Sequence, residues 1–451
     1  TVNLTVNQTK GQTTAITNTG GASGEEFTVN VQGAGDTTIT SSDFANVAVN
    51  ASATGNTTLN STGGSGSSVA MNNNGTGTMT ANLNEDADSQ TVDLSSASSD
   101  ADNVINTKGV GEVTLAGDAK NVELNTTGDT SVVGLGENAG TESFVVNNDG
   151  GAVSIVATTP IEGQSGKFTS NQTDVTINAA GDSGNVTLGH PLTSGGIVTS
   201  PDRMPDLDTL TITGSQNVTV NAQIGENVNT LTINAKGATG NVVSGVGPFP
   251  KVVMYEGSSG TDSWQMAPTG TGSVINANDG EDSITLNLGR VSGITENYGT
   301  VTVNCGANDG DQDTISVYMG GAGTGNKAAL VKIGQFGSED VIQARGRSSA
   351  VNSFYEGTLT EGMDSGMLAF MNKFADAETF TCSNTTFKNV DDITVATSTA
   401  SGWEGHFVIS GLSSSISSIN ADTTLNSGIA LIQIIGASDL TLTADNFNVM
   451  S

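Results

Sequence analysis

The chain has 451 residues, with 14 Lys and Arg against 46 Asp and Glu and a formal charge of −32. That is length enough for two or three domains and the wrong sign of charge for a nucleic-acid partner. Charged residues make up 13% and aromatics 4%, while Gly, Thr, Ser, Asn and Val dominate and the usual helix formers are scarce, a composition that excludes a helical protein and points to a β-rich extracellular one.

No run of about 18 apolar residues exists, so no helix is expected to span a membrane. The start at Thr1 lacks a basic, apolar leader, so a Sec-type signal is expected to have been removed already or never used. Cys305 and Cys382 are too few for a disulfide framework and fit either one bridge or two buried thiols.

From the N-terminus onward, short apolar-polar alternations recur about every ten residues: "FTVNV", "TTIT", "VAVN", "TTLN", "VTLA", "VELN", "FVVN", "VTINA", "LTIT", "VTVN", "VVMY", "ITLNL", "TISVY". Each carries the period-2 signature of a half-buried strand. Clusters such as "GGSGSS", "NNNGTG" and "NNDGG" between them supply turns. This spacing suits both a β-solenoid or β-roll and stacked β-sandwiches; short turns and small inward residues (Val, Ile, Ala, Leu) favour the solenoid over residues 1–345.

Composition divides the chain into an acidic N-terminal β domain (1–190), a second β domain (191–347) and a C-terminal domain (348–451). The joints are the proline-bearing "HPLTSGGIVTSPDRMPDLD", since proline cannot donate to a central ladder, and "ARGRSSAVNS" with Arg345 and Arg347. One short helix is predicted near 363–376, where Met363, Met367, Phe370, Met371 and Phe374 share a face, and it is expected to plug the end of a β-core.

The residues with the most chemistry lie in "INANDGEDSITLNLG" and "VNCGANDGDQDTISVY". Asn278, Asp279, Glu281 and Asp282 crowd around Gly280, and Asn308, Asp309, Asp311 and Asp313 surround Gly310 in the same order before the same kind of strand. Calcium takes six to eight oxygens from carboxylates, amides and carbonyls, and a glycine lets a loop fold around the ion. These eight residues are the candidate calcium ligands, with plain solvated turns as the alternative; they lack the soft ligands of zinc.

These turns resemble the RTX calcium-binding proteins, whose Gly/Asp nonapeptides build a parallel β-roll with calcium between coils. "ANDGEDSIT" and "ANDGDQDTIS" keep the Asp-x-Ile ending but lack the paired leading glycines and do not form a continuous run. "IGQFGSEDVIQARG" resembles the segment that follows such repeats, and "LIQIIGASDLTLTADNFNVMS", with Leu440, Leu442, Asp445, Phe447 and Val449, resembles an uncleaved type I secretion signal. "LDTLTITGSQNVTVNA" and "VNTLTINAKGATGNVV" resemble segments of Gram-negative bacterial S-layer proteins. The resemblance implies an extracellular, cell-surface protein that self-assembles into a lattice or filament and needs calcium.

No enzyme is expected. His190 and His406 are the only histidines and neither sits in a nucleophile motif. Sequons such as Asn56, Asn125 and Asn217 are frequent, as they are by chance in any Asn- and Thr-rich chain. The expected function is therefore a structural self-assembling subunit with itself as partner, whose folding and assembly are driven by calcium on acidic loops. The alternative is a secreted adhesin or carbohydrate-binding surface protein with a cell-surface polysaccharide as partner. Val2, Leu4 and Val6 share one face of "TVNLTVN" and offer an edge strand either to their own domain or to a neighbour.

Overall fold

The computed structural model describes residues 2–346, apart from interruptions in connecting loops, together with the strands Thr385–Val390, Ile393–Ser398, Gly405–Ser410 and Ala430–Ile435 and residues 446–449. The helix expected over 363–376, Cys382 and Trp403 lie outside the described residues. The chain folds as an all-β parallel β-solenoid, in which the strands of two long ladders pair with strands from adjacent coils. It divides into two compact units, Thr1–Val228 with Gly237–Val246, and Asn229–Lys236 with Gly247–Ser451.

In the first unit two parallel ladders alternate along the chain. One begins with Val2–Gln8, Glu26–Gly33, Asn46–Ala53 and Ser68–Asn73; the other begins with Thr13–Thr19, Asp36–Ser42, Thr57–Ser61 and Met79–Leu83. Register is in step, Val29 opposite Val49 and Val49 opposite Met71 on the first ladder, Ile39 opposite Leu59 and Leu59 opposite Ala81 on the second. The period-2 pattern is realised directly: Phe27, Val29 and Val31 are buried while Thr28 and Asn30 between them are half-buried. A register slip of one residue would turn every such Val outward, and each buried Val or Ile contributes roughly 1.5–3 kcal/mol.

The corner after the first ladder explains its glycines. A Cβ on Gly55 would lie 2.3 Å from the carbonyl oxygen of Gly35, and one on Gly77 would lie 2.0 Å from that of Gly55. Successive coils approach there backbone to backbone, so only glycine fits.

A small side sheet of Thr159–Pro160, Phe168–Thr169, Asp202–Met204 and Ala222–Ile224 departs from the two ladders. Pro160 sits in its outermost strand, where a missing N–H costs least. The side sheet holds Asp202 fully buried, with Oδ1 2.6 Å from Nδ1 of His190 and Oδ2 accepting from the backbone of Ala157 at 3.1 Å.

The second unit repeats the two-ladder plan. Ser263–Met266, Ser283–Asn287, Thr314–Met319, Val341–Gly346 and Phe447–Val449 form one parallel ladder. Val252–Glu256, Ser273–Asn276, Thr300–Asn304, Ala329–Gly334 and Ala430–Ile435 form the other. Beyond Ala430–Ile435 the pairing becomes antiparallel, through Gly405–Ser410 and Ile393–Ser398 to Thr385–Val390. Trp264 and Tyr255, the largest fully buried side chains among the described residues, pack against each other in the interior, with ring centroids 5.2 Å apart and planes tilted by 53°.

Candidate functional site

The acidic turn Asn278–Asp282 joins Ser273–Asn276 to Ser283–Asn287. Asn278 and Gly280 hold the left-handed backbone, φ 73° and 111°, a conformation that Asn and Gly adopt at least cost. The Asn278 Nδ2 donates to the Gly257 carbonyl at 2.8 Å, tying this turn to the one a coil earlier. Asp279 and Glu281 are exposed, whereas Asp282 is 1% exposed. The next acidic turn behaves the same way, with Asp311 exposed and Asp313 buried; Asn308 and Asp309 lie outside the described residues.

Alternation explains the split. Ile284 and Ile315 point into the core in register with each other, so the residue two positions before each must point inward as well. That residue is Asp282 in one coil and Asp313 in the next. They meet: the Asp282 backbone N–H donates to Asp313 Oδ1 at 2.9 Å.

Two further aspartates complete the column. The Asp262 N–H donates to Asp282 Oδ1 at 2.7 Å, and the Asp313 N–H donates to Asp340 Oδ1 at 2.9 Å. The column then meets Asn446, whose Nδ2 donates to the carbonyls of Ser338 and Asp340 at 2.8 and 2.9 Å. All five residues are at most 4% exposed. Asp262 and Asp340 escaped the sequence analysis, although a signal was present: "GTDSW", "GEDSI", "GDQDTI" and "GSEDVI" each place Gly, one or two residues, Asp, a spacer and an inward apolar side chain.

No family model, no curated protein and no solved structure matches this chain.

At one end Asp262 is saturated with donors: Oδ2 accepts from the Tyr255 hydroxyl at 2.6 Å and the Ser258 N–H at 2.8 Å, and Oδ1 accepts from the Ser258 hydroxyl at 2.6 Å. Burial, then the charge and hydrogen bond of Asp262, push the Tyr255 phenol well above its ordinary pKa, so it stays a donor. At the other end Asp340 Oδ2 accepts from the Gly337 N–H at 2.7 Å, and Cys305 Sγ lies with carboxylate oxygens of Asp313 and Asp340 inside a 4.8 Å group. Burial first, then the charges of Asp340 and Asp313, push the Cys305 thiol well above its ordinary pKa, so it remains protonated.

In this interior column both oxygens of Asp262 and of Asp340 accept protein donors, and one oxygen of Asp282 and of Asp313 accepts a backbone N–H. The column is a carboxylate ladder that fixes the register of consecutive coils through charge-assisted hydrogen bonds. The outward residues Asp279, Glu281 and Asp311 differ: they are hard oxygen donors facing solvent on adjacent coils, and their chemistry suits a hard cation.

Proposed function

We propose that this protein is a structural, self-assembling subunit of an extracellular bacterial surface layer or filament, and that calcium acts on its exposed acidic turns. The observation that carries this reading is the division of labour in those turns. Their inward aspartates lock one coil to the next, while their outward carboxylates Asp279, Glu281 and Asp311 are exposed on adjacent coils.

A chain of charge −32 keeps its copies apart by self-repulsion. Calcium bound by outward carboxylates removes part of that repulsion and bridges facing turns of two copies, so assembly follows the ion. Val2 and Leu4 support a second contact: they are 49% and 36% exposed on the strand Val2–Gln8, an apolar face suited to a strand of a neighbouring copy.

The test is negative-stain electron microscopy with light scattering, on protein dialysed into EGTA and then into millimolar calcium. Sheets or filaments that form only with calcium, and that fail to form in the triple variant Asp279→Asn, Glu281→Gln, Asp311→Asn, support the reading. Monodisperse protein in both conditions, or assembly indifferent to the triple variant, overturns it.

A further inference from the structure

The coil made of Val2–Gln8 and Thr13–Thr19 leaves the solenoid interior uncovered. Among the described residues, Val2–Gln8 pairs only with Glu26–Gly33, and Thr13–Thr19 only with Asp36–Ser42. Each strand therefore keeps a second edge of backbone N–H and C=O groups outside any ladder. In-register parallel partners point the same way. Val2, Leu4 and Val6 stand opposite the buried Phe27, Val29 and Val31, and Ile16 stands opposite the buried Ile39, so all four are inward side chains. Yet Val2 and Leu4 are 49% and 36% exposed, and Val6 and Ile16 are only half-buried, against at most 2% exposure at the same positions one coil on.

Nothing guards these edges. An open edge is ordinarily blunted by charge, proline or a bulge, but the two strands hold no charged residue and no proline, and Lys10 in the turn between them is the one charge in residues 1–24. In a chain of charge −32, this is a stretch where two copies approach without bringing carboxylates together. The inward pattern is also its own complement. Antiparallel pairing about Leu4 sets Val2 opposite Val6 of a second copy and Leu4 opposite its own counterpart; pairing about Ile16 sets Thr14 opposite Asn18 and Ile16 opposite its own counterpart. Leu4 and Ile16 lie six residues either side of Lys10, so a single two-fold axis serves both edges.

We infer that this end of the solenoid binds the same end of a second copy, forming a two-fold dimer in which both ladders run on across the contact by antiparallel strand pairing. A two-fold interface is isologous, so it closes at two chains. It satisfies the open backbone edges and covers the inward apolar side chains in one step. The inference rests on the self-assembly reading for its choice of partner, but it calls on no calcium. The dimer is the building block that the ion then joins through the acidic turns.

The experiment is sedimentation velocity of the full chain in EGTA at about 1–100 μM, for the native chain, for Val2→Lys and Leu4→Lys, and for the triple variant Asp279→Asn, Glu281→Gln, Asp311→Asn. A dimer is expected for the native chain and the triple variant, with Kd raised about tenfold or more in each Lys variant and circular dichroism unchanged. Leu4→Cys, in a background of Cys305→Ala and Cys382→Ala, is expected to form a disulfide-linked dimer on mild oxidation, whereas Ser52→Cys, exposed two coils on, is not. That comparison does not depend on the Lys variants folding. A monomer in EGTA, a dimer indifferent to both Lys variants, or equal cross-linking of the two cysteines overturns the inference. An open polymer in EGTA would mean a head-to-tail contact and overturns it as well. Dimers in EGTA that stay dimers in millimolar calcium support it and overturn calcium-driven assembly, so the two readings fail separately.

Discussion

Asp313 accepts the backbone N–H of Asp282 at 2.9 Å while its own N–H is held by Asp340 at the same distance. Two residues 31 apart in sequence thus act as one rung and the next of a buried carboxylate ladder, and each side chain satisfies a backbone donor that no strand partner reaches.

Removing a rung should cost the whole desolvation of that donor. Asp313→Ala is expected to destabilise the second unit by about 2–3 kcal/mol, as for hydrogen bonds to charged groups, whereas Asp313→Asn, which keeps an acceptor, should cost less. Urea unfolding followed by circular dichroism separates the two; equal losses would mean that side-chain volume and not the acceptor matters.

Tyr255→Phe deletes the hydroxyl that donates to buried Asp262 and leaves the ring in place. A loss of about 1–3 kcal/mol is expected, with the near-ultraviolet signal of Trp264 retained because the ring contact persists. A neutral effect would show that the Ser258 donors alone satisfy Asp262.

The corner glycines make a steric prediction. Gly77→Ala places a methyl where the Gly55 carbonyl oxygen already stands, and overpacking of this kind costs about 1–3 kcal/mol. A thermal melt unchanged from that of the native chain would contradict the close approach.

Alkaline pH should weaken the fold in two stages. Cys305 and Tyr255 both have folded pKa values raised above their unfolded ones, so the folded state holds these protons longer and their contribution is fully present below the unfolded values. It declines as pH rises past about 8.5 for the thiol and about 10 for the phenol, each group costing up to tenfold in the folding constant per pH unit. Cys305→Ala should abolish the earlier stage and leave the later one, as read from urea midpoints between pH 7 and 11.

Calcium should act on association and leave the ladder untouched. Chelation is expected to disperse assemblies while the unfolding midpoint of the Asp279, Glu281 and Asp311 triple variant stays within about 0.5 kcal/mol of the native chain, the usual range for surface substitutions. Sedimentation velocity and urea melts on the same samples provide the check.

The sequence by itself determined the all-β class, the inward and outward faces of the strands and the position of the turns, because a period-2 pattern such as that of Phe27, Val29 and Val31 is a local property that survives any arrangement of neighbours. It also placed Asp282 beside Asp313 in kind, through the repeated turn. It left solenoid and sandwich open, since both satisfy the same alternation. Only the tertiary structure decided between them, by pairing the strands of the two long ladders in parallel with their counterparts a coil away. That pairing is also what brought the inward Asp282 and Asp313 together, so that each accepts the backbone N–H of the residue a coil earlier. It lined up Asn106, Asn125, Asn147 and Asn178 amide to amide. Those groupings depend on register between residues some twenty to thirty positions apart, and register is fixed by the stacking of whole coils, which no single stretch of sequence contains.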